Sequence, residues 1–374
     1  MHPRPTFAAI ALALSLVGGT VSASAPAGAA PRTEPSPFYK ETSLPQLSGT
    51  YTPVVGDFEN SSSYDDILWY APGAGAEQFW TDTSDKVFTS KGLGNKVNGT
   101  YTPIVGDFTG DDLDDILWYA PGPGADSLWK TSGKATWTSY PVAINGTYAP
   151  VVLDDRDGKD DIIWSKPDGG VGSVWSFTGT GAQHVTHSVT TPAGTKPLVG
   201  DFDGDLLADV FWYGPGAVVD KLWRGNGSGT FAATAQSVGG TYQPIVLELD
   251  GGGPSKVHGP SSVSLFSPIA TDDIFWFKPG GASSVWYGRT DGGWDQAPSV
   301  GVLGSDGTLL PGKGNSTVFL WSKTHPDMVW IDGQIMAAHN TEFGAGYIPI
   351  VGNWFGTHEI VWYKPGSAPE VLFT

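Results

Sequence analysis

The chain of 374 residues contains no cysteine. That absence removes disulfide frameworks, thiol nucleophiles and cysteine-ligated metal centres together. Exported domains with a small core usually depend on disulfides, so stability here has to come from a large core, with or without bound metal. Basic side chains are also scarce: 20 lysines and arginines against 38 aspartates and glutamates leave a net charge of −18. Nucleic-acid binding rests on basic side chains that displace phosphate counterions, so this balance argues against it and favours cations as ligands. After the first thirty residues no segment has helical periodicity, and none is apolar over the length a membrane-spanning helix needs. G-x-S-x-G and H-E-x-x-H motifs are missing as well.

Residues 1–30 differ from the rest. Arg4 precedes the apolar run FAAIALALSLVGG, and the small residues VSASAPAGAA follow. This layout predicts a secretory signal peptide, cleaved between Ala23 and Ala30. Residues 31–37 then form a flexible linker and 38–374 a single domain. The mature protein is expected to be secreted, extracellular and monomeric, with no insertion into membrane.

The chain is rich in glycine (52), proline (29) and tryptophan (16). The prolines mark a repeat. GTYTPVVGDF surrounds Pro53, GTYTPIVGDF Pro103, GTYAPVVLDD Pro150 and GTKPLVGDF Pro197. Looser copies surround Pro244, Pro311 and Pro349, with successive spacings of 50, 47, 47, 47, 67 and 38 residues. Such a period signifies a solenoid, a propeller or an array.

Residues 99–145 show the unit most clearly. TYTPIVGDF reads as a first strand whose proline, unable to donate to a ladder, suits an edge. DDILWYAPG is apolar at consecutive positions, as in a strand buried on both faces. DSLWK and TWTSYPVAIN supply the third and fourth strands, and four short strands make one propeller blade. The second and third strands each carry a tryptophan at nearly fixed separation: Trp69 and Trp80, Trp118 and Trp129, Trp164 and Trp175, Trp212 and Trp223, Trp276 and Trp286. In the last repeat Trp362 is matched by Phe373, and the sixth retains DMVWIDG around Trp330. EVLFT ends the chain as a third strand, while FYKETSLPQLS (38–48) stands where fourth strands stand elsewhere. The predicted fold is therefore an all-β, seven-bladed β-propeller of four-stranded blades, its ring closed by an N-terminal strand that completes the last blade.

The runs GDFTGDDLDDILWY (106–119) and GDFDGDLLADVFWY (200–213) resemble the FG-GAP/VCBS repeats of integrin-α-like β-propellers. The resemblance covers essentially the whole mature chain and is most specific in the first four repeats. It implies a calcium loop between first and second strands, with the pattern Asp-x-Asp/Asn-x-Asp-Gly-x-x-Asp. The spacing is chemically sensible in itself, because Ca2+ takes six to eight oxygens that alternate residues of a tight loop can supply. In the fourth repeat the candidate ligands are Asp201, Asp203, Asp205, Asp209 and the carbonyl of Leu207. In the second they are Asp107, Thr109, Asp111, Asp115 and the carbonyl of Leu113. Asp112 and Leu206 replace the glycine usual at position 6, which strains the turn. The plainer alternative is that these aspartates cap turns through side-chain-to-backbone bonds. The other loops are poorer: Asp57, Glu59 and Asp66 in the first, Asp154, Asp157 and Asp161 in the third, and only Asp327 in the sixth. The metal's expected role is structural.

Other constellations lead nowhere. GTLLPGKG (307–314) lacks the Ser or Thr of a phosphate-binding loop. His184 and His187 fall on opposite faces of a strand. Twelve of the sixteen tryptophans occupy repeated strand positions and read as core, leaving Trp137, Trp294, Trp321 and Trp354 as candidates for exposed binding surface. The insertion DGGGPSKVHGPSSVSLFSP (250–268) is a candidate binding loop by position. The expected function is non-enzymatic binding of an extracellular glycan, in the manner of a lectin, or of a cell-surface protein. The alternative is a polysaccharide-degrading enzyme, lyase or hydrolase, on the same scaffold.

Overall fold

The computed structural model describes residues 41–374, apart from 60–63, 83–86, 95, 155–156, 248, 250–270, 298, 312–316, 323–326, 332–333, 340–345, 355–358, 367–368 and 374. The leader, the linker and the 250–268 insertion lie outside the described residues. Among those described there is no helix, and every strand pairs antiparallel. The architecture is an all-β propeller of repeated four-stranded sheets. One sheet runs Thr52–Gly56, Asp66–Tyr70, Glu77–Asp82, Phe88–Gly94 in spatial as well as chain order. The next, Thr102–Gly106 to Trp137–Val142, repeats it.

The described strands fall into seven sheets, six of four strands and one of five. In the fifth, the outer strand is broken into Trp294–Gln296 and Gly301–Val302, both paired to Ala282–Gly288, so that this blade has five strands rather than four. In the sheet of Ile348–Gly352 and Glu359–Tyr363, the outer position is held by Glu41–Ser43, with Thr42 opposite Leu372.

The first strands of neighbouring sheets lie side by side, as Thr52–Gly56 does with Thr102–Gly106, and so form the inner wall. The second strands DILWY, DVFWY, DIFWF and EIVWY are buried at every position, which explains their unbroken apolar runs. A propeller sheet has a neighbour on both faces, so no face is left for polar residues. Aromatic rings interlock across several gaps: Trp118 lies 4.9 Å from Tyr70 of the preceding sheet, Trp164 5.2 Å from Tyr119 and Trp276 5.1 Å from Tyr213.

Two polar devices bolt neighbouring sheets together. In the first, the tyrosine ending a second strand donates to a glycine carbonyl of the next repeat's G-T-Y and accepts from the N–H of that repeat's tyrosine. Tyr119 Oη makes these bonds to Gly146 O (2.8 Å) and Tyr148 N (2.9 Å), and Tyr213 to Gly240 O (2.9 Å) and Tyr242 N (2.7 Å). In the second, an aspartate at or just before the start of a second strand reaches back to the preceding repeat. Asp160 accepts from Asp107 N at 2.9 Å, while its own N–H donates to Asp107 O at 2.8 Å. A Cβ on Gly106 would lie 2.6 Å from the Asp160 carboxylate, so the glycine of V-G-D-F is the space this aspartate needs. Asp114 and Asp272 do the same beside Gly56 and Gly200.

Several sequence expectations need correction. Pro311 pairs with Val318, whereas Pro53, Pro103 and Pro349 pair with Trp69, Trp118 and Trp362. It therefore sits two residues deeper in its strand, and Leu309 fills the repeat's proline position, opposite Leu320. Trp330 belongs to a third strand, opposite Val318 of the second strand Thr317–Trp321. The four tryptophans assigned to exposed surface are not exposed. Trp354 is fully buried because G-N-W (352–354) occupies the position of G-D-F, where Phe58, Phe108 and Phe202 are buried likewise. Trp321 is buried in the position of Tyr70. Trp137 and Trp294 are half-buried at the start of fourth strands, in register with Phe88, His184 and Phe231. The corresponding third-strand aromatics lie 5.9 Å from Trp137 (Trp129) and 5.7 Å from Trp294 (Trp286). His184 stacks on Trp175 at 3.8 Å in the same way.

Candidate functional site

The acidic loops join first to second strands, so all of them emerge at one end of the sheets. In the fourth loop the Asp201 carboxylate accepts from Gly204 N (2.7 Å) and Leu206 N (2.9 Å) and curls the chain around itself. Leu206 is held at φ 71° and Asp112 in the second loop at φ 64°, the left-handed region that a glycine would occupy without strain. Asp209, the first residue of its second strand, is buried, with its carboxylate on Gly225 N and Phe202 N.

This folding brings Asp201, Asp203 and Asp209 together. Each offers a carboxylate oxygen within 4.8 Å of the others, the one such three-residue group among the described residues. Oxygens bound to one calcium at about 2.4 Å stand no more than about 5 Å apart, so the trio fits that ion. Asp205 does not join it, and its carboxylate instead accepts from Leu207 N at 2.9 Å. Burial, with Asp203 and Asp205 nearby, raises Asp209 to about 7. Burial raises Asp201 and Asp203 also. Three crowded carboxylates in a half-dry loop prefer a proton or a cation to bare charge.

The second loop has the same curl. Asp107 accepts from Gly110, Asp111 and Asp112 N–H groups. Lys130 places its ammonium 2.7 Å from Asp111 Oδ2 and 2.9 Å from Thr109 Oγ1, and Lys159 Nζ donates to Thr109 O at 2.9 Å. Asp115 is fully buried, accepts from Thr131 N, and is pushed by burial up to about 8. Leu113 is buried beside it and Leu207 half-buried in the fourth loop. Arg224 stands in the fourth loop where Lys130 stands in the second, with Nε 3.1 Å from Asp203 Oδ2. Both follow a third-strand tryptophan, in L-W-K and L-W-R. That was the sequence signal for a built-in cation, and loop spacing alone overlooks it.

In the first loop Asp66 accepts from Phe58 N (3.0 Å), and in the third Asp161 accepts from Phe177 N and Ser176 Oγ. These carboxylates serve as turn anchors. Asp57 is buried, Asp154 ends a first strand, and Asp157 accepts from Lys159 N. Asp327 begins a third strand, and its side chain lies outside the described residues, as do parts of the first, third and sixth loops.

No family model matches the chain, and no curated protein matches it in sequence. Solved structures share its fold. A lectin of Agrocybe aegerita, determined for its specific recognition of non-reducing terminal N-acetylglucosamine, superposes with a TM-score of 0.60 at 17% identity, over 86% of this chain and 86% of its own. BBS1N, determined in complex with ARL6DN, superposes with a TM-score of 0.52 at 10% identity, over 90% of this chain and 97% of its own. At these identities the likeness is one of fold.

Proposed function

We propose that this chain is a secreted, calcium-stabilised β-propeller of the FG-GAP/VCBS type that binds an extracellular carbohydrate without transforming it. The observation that carries the reading is the propeller shared, over 86% of both chains, with a lectin that recognises terminal N-acetylglucosamine. In this reading the seven sheets are seven blades, and Glu41–Ser43 closes the ring as the outer strand of the last. The calcium site supported best is the Asp201, Asp203, Asp209 trio, and its role is to neutralise and rigidify the loop. In the second loop an ion has to compete with Lys130.

A protein ligand is the second reading, favoured by the fold shared with BBS1N, which was solved with a protein partner. The test is a glycan and polysaccharide array probed with the mature protein, in calcium and in chelator. Saturable glycan binding without product release supports the proposal. Absence of binding to any glycan in calcium overturns it and leaves the protein-ligand reading, and shortening of a polysaccharide replaces it with an enzyme.

A further inference from the structure

At the end of the sheets opposite the acidic loops, three blades repeat one unusual contact. Lys166, Lys278 and Lys364 each directly follow a second strand. Each extends its ammonium over the tyrosine that directly precedes the first strand of the same sheet. The Nζ-to-centroid distances are 4.0 Å to Tyr148, 5.5 Å to Tyr242 and 5.1 Å to Tyr347. In the first two sheets the tyrosines recur as Tyr51 and Tyr101, but Ala71 and Ala120 replace the lysine. The fold therefore does not need the lysine, since the tyrosine packs on its second-strand tryptophan in either case: Tyr101 on Trp118 at 6.3 Å, Tyr148 on Trp164 at 6.0 Å.

The three lysines are half-buried, and among the described residues none forms an ion pair. Lys130 and Arg224, at the other end, do. Carboxylates at this mouth are already engaged: Asp126 holds Ala120 N and Ile144 N, Asp220 holds Gly214 N and Val238 N, Glu370 holds Leu47 N, and Asp306 accepts from Ser322 Oγ. Asp168, exposed in the turn after Lys166, does not reach it. Partly desolvated ammonium groups that lack an anion and are seated on aromatic faces offer charge and an apolar ring together.

The chain's overall negative charge does not cancel this. A five-residue strand separates the two ends by roughly 17 Å. That is about two Debye lengths at physiological salt, so the acidic loops are screened from the lysine mouth.

Resting on the carbohydrate reading above, we infer that the Lys–Tyr pairs Lys166–Tyr148, Lys278–Tyr242 and Lys364–Tyr347 bind acidic sugars: the carboxylate of a uronic acid pairs with the ammonium, and the ring packs against the tyrosine edge. Repetition in three blades suits a polymer with regularly spaced acid groups.

The test is calorimetric titration of the mature protein in calcium with three probes: a hyaluronan octasaccharide, the same oligosaccharide with its carboxyls methyl-esterified, and a neutral chitin oligosaccharide. The hyaluronan oligosaccharide is expected to bind roughly tenfold more tightly than its ester, and more weakly as salt rises. The triple variant Lys166→Gln, Lys278→Gln, Lys364→Gln is expected to lose that preference while keeping its melting temperature and any affinity for the chitin oligosaccharide. Replacement of all three by arginine is expected to restore it. Equal affinity for acid and ester, or a preference untouched by the glutamine variant, overturns the inference. Chitin binding without hyaluronan binding overturns the inference while leaving the carbohydrate reading intact. Binding of neither probe defeats the inference, and the array result then decides the carbohydrate reading separately.

Discussion

The Tyr363 hydroxyl lies 2.8 Å from the Tyr51 N–H and 3.4 Å from Gly49 O, joining residues 312 positions apart. It is the same clamp that Tyr119 and Tyr213 make between sequential repeats, here made between the last sheet and the first. Asp65 adds the second device at the same junction, accepting from Asn353 N at 2.7 Å and donating its own N–H to Asn353 O at 2.8 Å.

Tyr363→Phe removes this clamp and strands the Tyr51 N–H. A loss of about 1 kcal/mol in urea unfolding is expected, because the stranded donor is only half-buried. Tyr119→Phe, at an internal junction, is expected to cost the same. A silent Tyr363→Phe beside a costly Tyr119→Phe would mean that first and last blades do not meet in solution.

Asp65 gives the seam a pH dependence. Burial raises its carboxyl to about 6, against the favourable bond from Asn353 N. A carboxyl whose folded-state value is raised stabilises below its unfolded value near 4, and that stability is lost as pH rises through about 6. Two pH units correspond to at most about 3 kcal/mol, less for a half-buried group. Melting temperature in chelator should therefore fall between pH 4 and 7, and Asp65→Asn should flatten that fall. An unchanged slope in the variant would count against it.

Trp354 fills the position held by phenylalanine in three other repeats. Trp354→Phe should accordingly cost under about 1.5 kcal/mol, and Trp354→Ala about 3–5 kcal/mol through the cavity it leaves. Denaturant unfolding separates the two, and similar large losses in both would refute the equivalence.

Lys130→Met exposes the second loop's carboxylates to one another. The variant should melt lower than the parent in chelator and recover in calcium, with a second calcium-binding event in calorimetry beside that of the Asp201, Asp203, Asp209 trio. At a hundredfold excess over Kd, bound calcium contributes about 2.7 kcal/mol. Asp209→Asn should abolish the fourth-loop event, and an unaltered calcium response in both variants would exclude these loops as sites.

Much of this molecule is written in its sequence. The G-T-Y/Pro/Trp repeat and the unbroken D-I-L-W-Y runs are direct consequences of sheets stacked on both faces, so the all-β propeller was legible from periodicity alone. So was the position of the acidic loops. Loop composition could not reveal which carboxylates converge, because that depends on where strands 19–71 residues away deliver their side chains. Lys130 and Arg224 arrive from third strands, Asp160 and Asp272 from the neighbouring sheet. Register was equally out of reach. Only strand pairing places Pro311 two residues off the repeat. Trp354, by contrast, stands in V-G-N-W where other repeats have V-G-D-F, so its burial was legible in the sequence. The Lys–Tyr pairs lie 17–36 residues apart in sequence and meet because the first and second strands of each sheet are antiparallel neighbours. Local pattern thus determined the repeating unit, whereas the contacts between strands and between sheets, fixed only by the packing of the whole, decided which charges find partners.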